Sequence, residues 1–243
     1  MSFWKFANPN LFLKWSSRIV PILSITTAVF LIIGLFWGGF LTPEDYRQGI
    51  TVKILFVHVP SAFLAINIYF MMFVASLIWL IKRHHVSALA AKAAAPIGVA
   101  MTLIALATGA IWGKPMWGTP WVWDPRLTSF AIMFIFYVSY IALWNSIENR
   151  DKAADLSSIL CLTGSIFALL SRYAVNFWEK GLHQGASLSL DKEEHVSNEF
   201  FFPLVICMIG FMCFFLTLVL VRTQTEIRKQ RIISILKVKG LHK

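Results

Sequence analysis

Trp112-Gly-Lys-Pro-Met-Trp117-Gly-Thr-Pro-Trp121-Val-Trp123-Asp124-Pro-Arg126-Leu-Thr128 holds four of the chain's ten tryptophans within twelve residues. Pro115, Pro120 and Pro125 argue against a regular helix across it. Gly113 and Gly118 each follow a tryptophan and let the backbone turn or approach something flat. The stretch reads as large aromatic faces on an irregular, proline-stiffened frame. Such a surface stacks on a broad planar ligand and still offers indole N–H donors. The plainer reading is an aromatic belt at a membrane–water interface.

Outward from this stretch the chain is apolar. It is 58% hydrophobic and only 14% charged, against about 25% charged in a soluble domain. Runs at 19–40, 54–81, 96–111, 129–147, 157–178 and 200–221 are candidates to cross a membrane, which takes about 20 apolar residues. The first is too long for a signal-peptide core, and no small-residue cleavage motif follows it. The expected fold is therefore an all-α integral membrane protein, with residues 1–243 forming one six-helix domain.

Lys and Arg sort the loops. Lys5, Lys14, Arg18, Lys82, Arg83, Lys92, Arg150, Lys152, Arg222, Arg228, Lys229, Arg231, Lys237, Lys239 and Lys243 fall on one side. Arg47, Lys53, Lys114, Arg126, Lys180 and Lys192 fall on the other, and Arg172 lies inside the fifth span. Both termini are thus expected in the cytoplasm and the tryptophan-rich loop outside. The net charge of +10 is explained by this bias and calls for no nucleic acid. The basic tail 222–243 is expected to be solvated or to lie on anionic lipid.

Topology also separates the histidines. His84 and His85 close the second span on the cytoplasmic side, His242 is in the tail, and His195 is in a polar outward stretch. His58 sits about one turn into the second span from the outer side. An ionisable residue there is costly without a partner, so it is either a ligand or a core histidine bonded to a neighbouring helix. Pro60 frees the Phe56 carbonyl beside it. His183 lies just past the outer end of the fifth span. His58, His183 and the tryptophans thus meet at one face, where two imidazoles can ligate an iron while aromatic walls hold a porphyrin. A bare zinc site would need three or four converging ligands. Cys161, Cys207 and Cys213 lie in apolar runs with no C-x-x-C or C-x-x-C-H, which argues against thiol redox chemistry and covalent haem attachment. Arg126 and Arg172 are the cations placed for haem carboxylates. Arg126 is alternatively a partner for Asp124, and Arg172 is expected inside the bundle.

Trp-Gly-x-x-x-Trp-Gly-x-x-Trp-x-Trp-Asp-x-Arg-Leu-Thr, intact from Trp112 to Thr128, resembles the tryptophan-rich "WWD" signature of haem-handling proteins of c-type cytochrome biogenesis. Six spans, His-Val-Pro at 58–60 and Leu-His-Gln-Gly at 182–185 resemble the heme exporter protein C (CcmC) family within that group. The resemblance implies haem b bound non-covalently at the outer face of the bacterial inner membrane, with His58 and His183 as axial ligands. It implies contacts from Trp112, Trp117, Trp121, Trp123, Asp124 and Arg126, and Arg172 is added as a candidate cation. It further implies transfer to a periplasmic haem chaperone (CcmE), in assembly with ABC transporter subunits CcmA and CcmB and a small membrane protein, CcmD. No activated nucleophile is evident, so a carrier rather than an enzyme is expected. The competing readings are a haem-translocating permease and a b-type membrane electron carrier.

Overall fold

The computed structural model describes residues 8–177 and 196–239. Among the described residues six α-helices follow one another: α1 (Pro9–Phe36), α2 (Leu55–Lys82), α3 (His85–Trp117), α4 (Pro125–Ser146), α5 (Arg150–Phe177) and α6 (Asn198–Val238). All six are long and apolar enough to cross a membrane.

α1 starts where Asn8 accepts a hydrogen bond from the Asn10 amide at 2.9 Å, with Pro9 as the first helical residue; a proline there costs no hydrogen bond. It packs chiefly on α6. Small residues bring the two together: a Cβ on Gly34 would stand 2.8 Å from the Cys207 sulfur, and one on Gly210 would stand 2.9 Å from Leu31. Close helix approach of this kind replaces the hydrophobic drive that lipid removes. Gln224 Nε2 donates to Ser16 Oγ at 2.8 Å and locks the contact lower down.

The helices overrun the apolar windows. Where the sequence reading put a loop at 82–95, only Arg83 and His84 separate α2 from α3. Arg83 takes the left-handed conformation (φ 53°) that ends α2. His84 then caps α3, its Nδ1 accepting from the Ser87 amide at 3.0 Å. Burial holds the His84 imidazole below its ordinary pKa, in the direction that keeps this acceptor neutral. The charges that suggested a loop are satisfied in place. Arg83 pairs with Asp155, and Lys92 bonds Glu226 at 2.7 Å beneath the Trp144 ring. The alanine-rich start of α3 helps, because Ala91, Ala93, Ala94 and Ala95 are buried and alanine is the best helix former. α6 likewise continues as helix to Val238, through most of the stretch read as a basic tail.

The core lies between α2, α3, α4 and α5, with Phe215 and Val219 of α6 joining it. Tyr69, Tyr137, Tyr140 and Trp79 are almost wholly buried. The Tyr137 hydroxyl donates to the Ala65 carbonyl at 2.7 Å, and Tyr69 meets its ring edge-on at 4.9 Å. A second cluster of Val52, Leu55, Phe56, Phe200, Leu204 and Cys207 sits at the end of the bundle where α2 begins.

Candidate functional site

The tryptophan-rich stretch divides into helix, turn and helix. As expected, no regular helix crosses it, but α3 carries on past the apolar run that ended at 111, through Pro115 to Trp117. Pro115 lies in the last turn, where losing one amide bond is tolerable at the end of a membrane helix. Gly118 (φ 77°) closes α3, its amide donating to the Lys114 carbonyl at 3.0 Å. Such a conformation suits glycine. Residues 118–124 form the turn. Asp124 then caps α4, its carboxylate accepting from the Leu127 amide at 2.6 Å, and Pro125 is the first residue of the helix.

This turn closes one end of a cavity of about 670 Å³ between α2, α3, α4 and α5. The volume falls within the roughly 300–1,000 Å³ usual for a ligand pocket. His58 and, 54 to 114 positions further along the chain, Trp112, Trp117, Trp121, Arg126 and Arg172 all line it. The rest of the wall is mostly apolar, with Phe63, Phe70, Phe73, Met116 and Phe130 prominent.

Each aromatic is held. The Trp112 Nε1 donates to Gln48 Oε1 at 2.8 Å, and its ring meets His58 edge-on at 5.6 Å between centroids. Trp117 folds back over Gly113, where a Cβ would stand 2.9 Å from the indole. Trp121 packs edge-on against Trp123 at 5.5 Å. The Trp121 Nε1 is buried and has no hydrogen-bond partner among the described residues, an arrangement that costs roughly 1–3 kcal/mol unless something accepts from it. Trp123 does not line the cavity and is 81% exposed.

Arg126 is half-buried, and its Nε reaches the Ser171 carbonyl at 3.4 Å. Arg172, expected inside the bundle, is instead exposed at the rim, its guanidinium 5.8 Å from the Tyr173 ring centroid. Its place at the cavity mouth removes the need for a buried counter-charge. His183 lies outside the described residues. His84 and His85 are at the far end of α2, with His85 against Trp79 at 5.2 Å. Among the described residues no three His, Cys, Asp or Glu side chains converge as a metal cage.

Sequence reasoning missed Gln48, Thr108 and Gly109. Gln48 precedes the second span by several residues. Thr108 and Gly109 look like ordinary small residues of a membrane helix, and only the pairing of α2 with α3 brings them to His58.

A family model for heme exporter protein C matches residues 2–237. The heme exporter protein C of Paracoccus denitrificans (strain Pd 1222) is 62% identical, over 97% of this chain and 98% of its own length. That of Bradyrhizobium diazoefficiens is 42% identical, over 94% and 86%. That of Escherichia coli (strain K12) is 40% identical, over 86% and 83%.

Proposed function

The chain belongs to the heme exporter protein C (CcmC) family, and from that premise we propose that it takes part in haem handling for c-type cytochrome biogenesis, holding haem b as cargo in the cavity beneath the tryptophan turn. In this reading the cavity opens at the periplasmic face of the bacterial inner membrane. His58 and His183 bind the iron, Arg126 and Arg172 meet the carboxylates, and the exposed Trp123 edge meets the haem chaperone CcmE. CcmA, CcmB and CcmD complete the assembly.

The observation that carries the reading is the meeting of His58, three tryptophans and two arginines around one cavity. The donor set suits haem: an imidazole for iron, flat apolar walls for the macrocycle, cations at the rim for two carboxylates. The buried Trp121 N–H adds a donor. Binding brings the ligand's iron chemistry; the chain supplies a ligand nitrogen, shields the macrocycle from water and leaves one edge open. The cavity lining along α2 ends at Phe73, and buried Trp79 lies beyond it. That supports one-sided loading over a permease path, and a haem at a single depth over an electron-transfer chain.

The test is the absorption spectrum of the purified protein with added haem. We expect a six-coordinate, low-spin spectrum and complete extraction of the haem into acidified organic solvent, since no C-x-x-C-H is present to attach it. A high-spin spectrum, or haem that stays with the polypeptide, counts against the reading.

Orientation has its own test. The excess of Lys and Arg on one side puts both termini in the cytoplasm. A reporter active only in the periplasm, fused after Lys243, should be silent, while one inserted at Thr119 should be active. The reverse pattern would put the tryptophans on the cytoplasmic side.

A further inference from the structure

The ring of His58 is held by three residues on one face of α3. Thr108 Oγ1 is 3.0 Å from Nδ1. Gly109 follows, and a Cβ there would stand 3.0 Å from Cε1, 3.6 Å from Nδ1 and 4.0 Å from Nε2. Trp112, one turn on, meets the ring at an interplanar angle of 78° and is itself held by Gln48.

The hydrogen bonds of Thr108 determine which way the first contact runs. A hydroxyl has one proton, and a carbonyl oxygen only accepts. Thr108 Oγ1 lies 2.6 Å from the Ile104 carbonyl oxygen. Two oxygens that close repel unless a proton lies between them, so the hydroxyl proton is committed to Ile104. What Thr108 has left for His58 is lone pairs. The nitrogen facing it must donate, and 3.0 Å is the usual length of an N–H···O bond, about 2.9–3.0 Å.

We propose that Thr108 is a positioning residue for the cargo site: by accepting from Nδ1–H it fixes His58 as the Nδ1-protonated tautomer and makes Nε2 the nitrogen that carries the lone pair offered to iron. The identity of what Nε2 meets rests on the haem reading above; the tautomer does not. Ligating histidines generally give their other N–H to an acceptor that sets ring orientation and basicity. A carboxylate in that role would pull the ring toward imidazolate and strengthen its bond to iron. A neutral hydroxyl orients the ring without that gain, which suits a ligand that must later let its cargo go. Gly109 serves the same end by leaving room for the ring against the α3 backbone.

Two measurements test this, one without haem. In the haem-free, detergent-solubilised full chain with ¹⁵N-labelled histidine, nitrogen NMR reads the tautomer of His58, its signals identified by their loss in His58→Gln. We expect Nδ1–H in the wild type and in Thr108→Ser. In Thr108→Val, which keeps the shape and loses the acceptor, we expect a shift to Nε2–H or to a mixture. A Thr108→Val protein that keeps Nδ1–H overturns the proposal. The second measurement is haem affinity and spin state. Partners of ligating histidines are worth about 10–100-fold in affinity, so Thr108→Val should bind haem that much more weakly with a larger high-spin fraction, and Thr108→Ser should restore both. If the tautomer moves in Thr108→Val while affinity and spin state do not, the positioning role is overturned, and the fault lies with His58 as iron ligand rather than with the hydrogen bond.

Discussion

Replacing His58 with alanine should abolish the six-coordinate haem spectrum and lower haem per protein by more than the 10–100-fold that hydrogen-bond partners of metal ligands are worth. The position sets the size of the effect. His58 is on a regular helix, braced by Thr108 and Trp112, and among the described residues it is the one imidazole that lines the cavity. On the proposed reading, alanine there removes the iron ligand and leaves apolar walls, which hold a flat macrocycle only by packing. His183→Ala should act in the same direction, leaving a five-coordinate haem on His58. The controls are His84→Ala and His85→Ala. They sit at the other end of α2, where His84 caps α3 and His85 packs on Trp79. Their loss costs stability, about 0.5–2 kcal/mol for a cap, but should leave the spectrum of the folded protein unchanged. An effect of His84→Ala on the spectrum equal to that of His58→Ala would sink the one-ended site.

Trp123→Ala should leave haem content near wild type and sharply reduce transfer to the chaperone. Trp121→Ala should do more to binding. The two side chains touch, but they face different ways. Trp121 lines the cavity with its N–H buried, whereas Trp123 stands 81% exposed beside it. An exposed tryptophan at the rim of a ligand site is a natural anchor for a partner, and such anchors are worth about 2 kcal/mol or more, roughly 30-fold in affinity. Losing one stacked aromatic inside the cavity costs on the order of 1 kcal/mol beyond its area, while iron ligation persists. The measurements are haem per protein and capture of the chaperone, in membranes matched for protein level. If both variants accumulate, load and deliver normally, the turn is a membrane anchor and its part in transfer is refuted. A Trp123→Ala protein that fails to load would instead move that residue into the cavity wall.

Much of this was legible in the chain. Six apolar runs mean six spanning helices, because a backbone in lipid must bond to itself. The tryptophan motif and the placement of His58 and His183 pointed to the family that the comparisons show. The order of the apolar runs and the charge bias also put His58 at the same end as residues 112–128, since α2 starts there and α3 ends there. Charge, by contrast, is a poor stop signal for a helix. Lys92 and Arg83 marked a loop only so long as their partners Glu226 and Asp155 were unknown. The prolines did mark a break in the tryptophan-rich stretch, which falls at residues 118–124, after the turn that holds Pro115.

The sequence by itself determined the number of helices, their alternation across the membrane and the residue types gathered at one end, because these follow from local apolarity and from order along the chain. Tertiary structure alone decided that α2 lies against α3, so that the Thr108 hydroxyl meets His58 and Gln48 meets Trp112. It likewise decided that Arg172 sits at the rim and that Trp121 turns inward while Trp123 turns out. Neighbours 50 and 64 positions apart are chosen by how the helix faces pack, and packing is a property of pairs of helices that no single run of sequence carries.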